Sequence, residues 1–143
     1  MSELILERNF TADLETVFAF VTQTEHLLKW WGPEGMTVPL HALDFTKPGP
    51  WHSTMANSEG QEYRVSGEVR QVNPPNSVEF TWAWHDGEGK RGHESAVRFE
   101  MKEQEGGGTV FRLIHTDLQD SEDAENHNRG WTSSLRKLER LAA

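Results

Sequence analysis

The hydrophobic pattern changes its period along the chain, and the order of these changes limits the folds that the chain can adopt. Apolar residues first alternate, then recur at helical spacing, alternate again over a long central region, and return to helical spacing at the end. Alternation is typical of half-buried strands, whereas recurrence at every third or fourth residue is typical of amphipathic helices. The pattern therefore predicts a strand, two helices, several strands and a final helix.

The first segments are predicted to be one strand and two short helices. Alternation predicts the strand over about residues 3–10, and Thr11 or Asp13 is expected to cap the first helix. The apolar stripe of that helix consists of Leu14, Val17, Phe18 and Val21. A second short helix is expected to start at Thr24 and to stop at Gly32, because a proline follows.

The hydrophobic pattern of the central region predicts five or six strands, the first of which starts near Met36. Clusters of Gly, Pro and Asn separate them at residues 47–50, 57–60, 73–76, 86–89 and 106–108. Such regular spacing favours an antiparallel meander. The alternating sets are Tyr63, Val65, Gly67 and Val69; Val78, Phe80, Trp82 and Trp84; Val97, Phe99 and Met101; and Phe111, Leu113 and His115. Each set should face one side of a curved sheet.

The last segment predicts a long amphipathic helix that starts at Ser121, whose hydroxyl is expected to cap it. Its buried stripe is expected to contain His127, Trp131, Leu135 and Leu138. The concave face of the sheet is the large apolar surface against which this stripe can pack. We therefore expect a curved antiparallel sheet that grips a helix.

Length and charge exclude several classes of protein. The 143 residues correspond to one domain, 1–143, and such a chain buries about 68–70% of its unfolded surface. Cysteine is absent, which excludes disulfides and thiolate chemistry. The formal net charge of −9 argues against binding nucleic acid or anionic membranes. Because no signal sequence or apolar span is found, we expect a cytoplasmic protein without membrane insertion.

Five motifs, spread over nearly the whole chain, together point to a known family. They are Trp30-Trp31-Gly32-Pro33; Asp44 followed by Lys47-Pro48-Gly49 and Trp51; Gly67-Glu68-Val69 with Pro74-Pro75 before Val78-Glu79-Phe80; Gly107-Gly108-Thr109 before His115; and His127-Asn128-Arg129-Gly130-Trp131 with Leu135 and Leu138. In combination they resemble the START-like (SRPBCC) superfamily. Within it, they resemble the family homologous to the carboxy-terminal domain of the activator of the heat-shock chaperone ATPase.

The resemblance implies an α+β helix-grip fold. In this fold a curved antiparallel sheet of about six or seven strands wraps around the long C-terminal helix, and two short helices follow strand 1. A cavity between sheet and helix is implied as well, which other members of the superfamily use for lipids, sterols, polyketides and plant hormones. One difference is Pro50, which stands where the family has a second glycine before Trp51. Because proline lacks a backbone donor, we expect the start of this strand to differ.

Six Trp and seven Phe in one short chain can build either a dense core or the wall of a ligand cavity. Both interpretations remain open for each aromatic residue. The residues expected to contact a small hydrophobic ligand are Trp31, Trp51, Tyr63, Phe80, Trp82, Trp84, Val97, Phe99, Phe111, His115, His127, Trp131 and Leu135. His115 and His127 are either polar anchors or proton-transfer groups for that ligand, or they are structural histidines.

No catalytic residue, metal site or cofactor is assigned from the sequence. The seven histidines have no metal-ligand spacing, and no serine lies in a nucleophile motif. Three functions remain possible. The first is a non-enzymatic domain that binds a small hydrophobic molecule. The second is a protein-interaction module related to the chaperone ATPase activator, and the acidic stretch 117–125 could contact its partner. The third is a cyclase-like enzyme that uses His115, Glu68 or Tyr63.

The length of the chain argues against the chaperone-related function. The eukaryotic activator has a further amino-terminal domain, for which 143 residues leave no room. We therefore expect the ligand-binding function to be the main one, and a role in stress response to depend on a protein partner.

Overall fold

The computed structural model describes residues 2–143, which form one antiparallel sheet and three helices. The elements are β1 (Ser2–Phe10), α1 (Leu14–Thr22), α2 (Thr24–Trp30), β2 (Thr37–Ala42), β3 (Gly49–Ala56), β4 (Glu62–Asn73), β5 (Ser77–Trp84), β6 (Ser95–Glu103), β7 (Thr109–Leu118) and α3 (Ser121–Ala142). This order confirms the predicted strand, two helices, run of strands and final helix. The helix-grip fold is therefore the fold of this chain.

The seven strands are arranged in the order β1-β7-β6-β5-β4-β3-β2. Strands β2 to β7 form a meander. Strand β1 lies at one edge of the sheet and pairs with β7, where Leu4 lies opposite His115. Helix α3 contacts β1, β7, α1 and α2. The first and last thirds of the chain thus meet on the helix side of the sheet.

The starts of α1 and α3 are fixed by aspartate caps. Asp13 caps α1, because its side chain accepts a hydrogen bond of 2.8 Å from the Thr16 amide. The expectation that Ser121 caps α3 is wrong: the cap is Asp120, whose carboxylate accepts from the Asp123 amide at 2.9 Å. Aspartate and serine are similarly good caps, so local preference alone does not separate two adjacent candidates.

Pro50 lies inside β3, opposite Glu68 of β4. The neighbouring strand on the other side, β2, pairs with β3 only between His52 and Ala56. One side of β3 is therefore unpaired at Pro50, which is where a residue without an amide donor is tolerated in a sheet. The pairing of β3 with β4 continues without a register shift past this proline.

Aromatic side chains fill most of the space between sheet and helices. Trp31 lies at the centre of this cluster, with ring centroids 5.7 Å from Phe45, 5.7 Å from Trp51 and 6.0 Å from Trp131. These three ring pairs are nearly perpendicular, an arrangement that the charge distribution of aromatic rings favours. Most residues of the predicted inward sets belong to the same core: Val65, Val69, Val78, Phe80, Trp82, Val97, Phe99, Met101, Phe111 and Leu113. Tyr63 is only half-buried and Trp84 is exposed, so these two do not.

Close approach of two strands explains Gly67. A Cβ atom at this position would lie 2.0 Å from the carbonyl oxygen of Thr81 on β5, so no larger residue fits without a shift of the backbone. The same carbonyl accepts a hydrogen bond from the Trp51 indole at 3.1 Å.

Across residues 2–143, no helix has the length and hydropathy that a membrane crossing requires.

Candidate functional site

An open cleft of about 340 Å³ lies between the sheet and the first half of α3. We call it the tryptophan cleft. It is lined by Trp31, Gly32, Pro33, Met55, Trp82, Trp84, Asp123, Asn126, His127, Gly130, Trp131 and Ser134. Its volume is at the low end of the range for small-molecule sites, and its walls are mostly apolar with a few polar groups, as such sites usually are.

Helix α3 forms one wall of the tryptophan cleft. Its lining residues follow one another at steps of three and one, which places them on a single face of the helix. Three of them, Asn126, Gly130 and Ser134, are small or polar and do not fill the space toward the sheet. Farther along the helix, Leu135 and Leu138 are fully buried and close the gap. The cleft therefore exists because the buried face of α3 changes from small to large side chains.

The loop after α2 forms a second wall. Gly32 has a φ of +82°, a conformation that L side chains rarely adopt, and a Cβ there would lie 3.0 Å from the sulfur of Met55. The glycine thus allows a tight turn that places Trp31 in the core and Pro33 at the edge of the cleft. The sequence step Trp-Trp-Gly-Pro is explained by this geometry.

Five of the six indole N–H groups have an acceptor within the protein. The pairs are Trp30 with the Phe20 carbonyl, Trp31 with Ser53, Trp51 with the Thr81 carbonyl, Trp84 with His127, and Trp131 with His115. The exception is Trp82, whose buried Nε1 has no hydrogen-bond partner. Buried donors are nearly always paired, so an unpaired one beside a cleft is a candidate contact for a ligand acceptor.

His127 and Trp84 form a polar bridge at the edge of the cleft. The Trp84 indole donates to Nε2 of His127 at 3.1 Å, and an indole nitrogen can only donate. The imidazole proton therefore lies on Nδ1, which donates to the Asp123 carbonyl oxygen at 2.9 Å and lies 3.2 Å from its carboxylate. The three side chains hold one another in a fixed arrangement.

His115 lies behind the cleft and not in it. Trp131 donates to its Nδ1 at 3.1 Å, so Nε2 carries the proton and donates to the Ser95 hydroxyl at 2.7 Å. Burial, together with the smaller effect of neighbouring His127, lowers the pKa of His115 to about 3. Ser95 and His115 therefore do not form a nucleophile–base pair, because the imidazole nitrogen that faces the hydroxyl is already protonated.

A second cleft of about 450 Å³ adjoins the first at the turn between β5 and β6. We call it the hairpin cleft. It shares Trp82, Trp84, Asp123 and His127 with the tryptophan cleft and is otherwise lined by His85, Asp86, Lys90, Arg91, Gly92, His93, Ser95 and Gln119. The Trp84–His127 hydrogen bond lies between the two clefts, and the residues on the far side of it are mostly polar.

The structure brings five of the thirteen expected ligand-contact residues to the tryptophan cleft: Trp31, Trp82, Trp84, His127 and Trp131. Seven others are buried and do not line it: Trp51, Phe80, Val97, Phe99, Phe111, His115 and Leu135. Tyr63 is half-buried and does not line it either, and Glu68 is exposed. None of the three groups named for a cyclase-like enzyme therefore lies in this cleft, whereas His127, also considered for proton transfer, lines it.

The sequence reasoning missed the lining residues that are small or polar. Asp123, Asn126, Gly130 and Ser134 belong to the helical stripe of His127 and Trp131, so extending that stripe without regard to polarity would have found them. Met55 and Gly32 come from distant segments, and their proximity has no signal in the sequence. In residues 2–143, no group of three or more potential metal-ligating side chains is found.

Comparison with known proteins identifies relatives of the whole chain. The family model described as activator of Hsp90 ATPase homolog 1-like protein matches residues 11–143. The solved structure of the AHSA1 protein from Silicibacter pomeroyi is 50% identical in sequence, with a TM-score of 0.94, and the match covers 98% of this chain and 96% of that one. No curated protein matches the chain.

Two more distant structures have the same fold. A protein from Chromobacterium violaceum is 19% identical, with a TM-score of 0.86 over 99% of this chain and 98% of that one. A protein from Mycobacterium smegmatis is also 19% identical, with a TM-score of 0.81 over 99% of this chain and 90% of that one. At this identity, the similarity extends to the fold alone.

Proposed function

The chain belongs to the activator of Hsp90 ATPase homolog 1-like family of the START-like superfamily, and from this premise we propose that it binds a small, predominantly apolar molecule in the tryptophan cleft. One observation carries the proposal: four tryptophans surround an open cleft between sheet and helix. Binding without chemical conversion is favoured, because the three groups considered for a cyclase-like enzyme lie elsewhere and His127 is engaged by Trp84 and Asp123.

The contacts proposed for the ligand come from Trp31, Trp82, Trp84 and Trp131, with Met55 and Pro33 completing the apolar surface. The unpaired N–H of Trp82 supplies a donor for an acceptor atom on the ligand. His127 lines the cleft as well and is proposed as a polar contact. The expected residues that belong to the packed core are proposed to act indirectly, by holding the rings in place: Trp51, Phe80, Val97, Phe99, Phe111 and Leu135. A compact ring system with one polar atom fits this description.

The test is a ligand screen by thermal unfolding and calorimetry. The compounds are fatty acids, sterols, flavonoids and a compact uncharged probe, 3-tert-butylphenol. A ligand that binds the native state alone stabilises it by about 2.7 kcal/mol at a hundredfold excess over Kd. We expect the compact aromatic compounds to raise the unfolding temperature.

A pair of variants locates the binding site. Gly130→Leu places a side chain on the lining face of α3 and should abolish the ligand effect, whereas Asn128→Leu adds the same side chain at an exposed position outside the lining. Loss of the effect in Gly130→Leu alone supports the proposal. Absence of binding by every compound, or equal binding by both variants, contradicts it.

The second candidate function is contact with a protein partner of the chaperone ATPase type. The description of the matching family is the observation that favours it. Its test is the ATPase activity of a purified Hsp90 with and without this protein. An increase that survives in Gly130→Leu would indicate a function that does not use the tryptophan cleft.

A further inference from the structure

We propose that the tryptophan cleft selects an organic cation, such as a quaternary ammonium group on an aromatic ring, over uncharged or anionic molecules of the same shape. This inference rests on the proposed function, because it concerns the ligand of the same cleft. Its basis is the combination of aromatic walls with a single charged lining residue.

The charge of the lining is negative. Asp123 is the only charged side chain among the residues that line the tryptophan cleft. Its carboxylate is held in the wall, because Oδ1 lies 3.2 Å from Nδ1 of His127 and Oδ2 accepts from the Gln119 amide at 3.2 Å. The net charge of −9 adds to the attraction for cations.

The aromatic residues of the lining suit a cation as well. Indole is the aromatic side chain that attracts cations most strongly. The rings of Trp82 and Trp131 are 5.1 Å apart, those of Trp82 and Trp84 5.4 Å, and those of Trp31 and Trp82 5.8 Å. A cationic group that enters the cleft therefore meets several indoles at once, together with the carboxylate.

An anionic ligand would find no Lys or Arg side chain among the residues that line this cleft. The basic side chains nearby are engaged elsewhere. Arg91 forms an ion pair with Glu94 at 2.8 Å, and the ammonium group of Lys137 lies 3.4 Å from the Trp31 carbonyl oxygen. Lys90 lines the hairpin cleft, on the other side of the Trp84–His127 hydrogen bond. Burying a carboxylate beside Asp123 would cost its hydration without a compensating charge.

The experiment compares three probes of nearly the same shape by calorimetry. They are (3-hydroxyphenyl)trimethylammonium, its uncharged isostere 3-tert-butylphenol, and the anion 3-tert-butylbenzoate. The first two differ by one atom, nitrogen in place of carbon, and hence by one positive charge. We expect the cation to bind about tenfold more tightly than the phenol, and the benzoate to bind most weakly.

Two variants test the role of the carboxylate. Asp123→Asn keeps an acceptor for the Gln119 amide but removes the charge. It should lower the affinity for the cation several-fold and leave the affinity for the phenol unchanged. Glu122→Gln is the matched control, because it makes the same change of net charge at an exposed neighbour outside the lining. Its cation affinity should equal that of the wild type.

The possible results separate this inference from the proposed function. Equal binding of cation and phenol, or equal effects of Asp123→Asn and Glu122→Gln, overturns the selection for cations and leaves the cleft as a site for uncharged ligands. Tightest binding of the benzoate overturns it in favour of an anionic ligand that reaches Lys90. Binding of none of the three overturns the selection for cations, and it overturns the proposed function as well when no compound of the wider screen binds.

Discussion

His115 shows how the partners of one side chain determine its chemistry. Burial, together with the smaller effect of neighbouring His127, lowers its pKa to about 3. The hydrogen bonds fit the neutral ring, because Trp131 donates to one ring nitrogen and Ser95 accepts from the other. The residue is therefore a neutral structural element that fixes the position of Trp131, one of the walls of the tryptophan cleft.

Acid should destabilise the protein through His115. The unfolded chain binds a proton there below about pH 6.5, whereas the folded chain does not until about pH 3, so the free energy of unfolding falls as the pH falls through this window. The contribution approaches about 1.4 kcal/mol per pH unit. His115→Gln should flatten the dependence, as measured by urea unfolding at several pH values. Equal slopes in both proteins would contradict this interpretation.

The face of α3 toward the sheet is continuous, although its residues are neither uniformly apolar nor uniformly buried. It begins with half-buried Asp123, passes through buried His127 and half-buried Gly130, and continues through buried Leu135 and Leu138. The apolar part of this stripe could be predicted from its spacing. The cleft could not, because it results from the absence of large side chains at three positions of the same stripe.

Gly130 is a helix-interior residue whose small size serves the cleft and not the fold. A Cβ atom there would have Pro33 Cγ as its nearest neighbour, at an ordinary contact distance of 4.0 Å. Gly130→Ala should therefore raise the free energy of unfolding by about 0.8–1.0 kcal/mol, because alanine is the better helix former. Chemical denaturation measures this change. A loss of stability would show that the glycine is required for packing.

At the scale of the whole molecule, the fold follows closely from the sequence. The hydrophobic period predicts the order of the elements, and the motifs around Trp31 and Trp131 indicate the helix-grip arrangement. Whether the interior is open or filled depends on how aromatic rings from distant strands, helices and loops pack, which no local pattern encodes. Most of the interior is filled by residues such as Phe80 and Phe99, and the open space lies at one end.

The two clefts lie side by side and share four lining residues. The apolar tryptophan cleft and the more polar hairpin cleft meet at Trp84, which is 36% exposed, whereas Trp82 beside it is only 5% exposed. A ligand in the first cleft therefore contacts indoles that differ in their access to water. The six indole N–H groups consequently provide separate reporters of where a ligand binds.

Nitrogen-15 NMR of the indole N–H groups during titration with 3-tert-butylphenol tests directly whether the tryptophan cleft is the binding site. We expect shifts at Trp31, Trp82, Trp84 and Trp131, which line the cleft. We expect little change at Trp30 and Trp51, whose N–H groups are bonded elsewhere in the core. Unchanged cleft signals at saturation, or larger shifts at Trp30 and Trp51, would contradict this assignment.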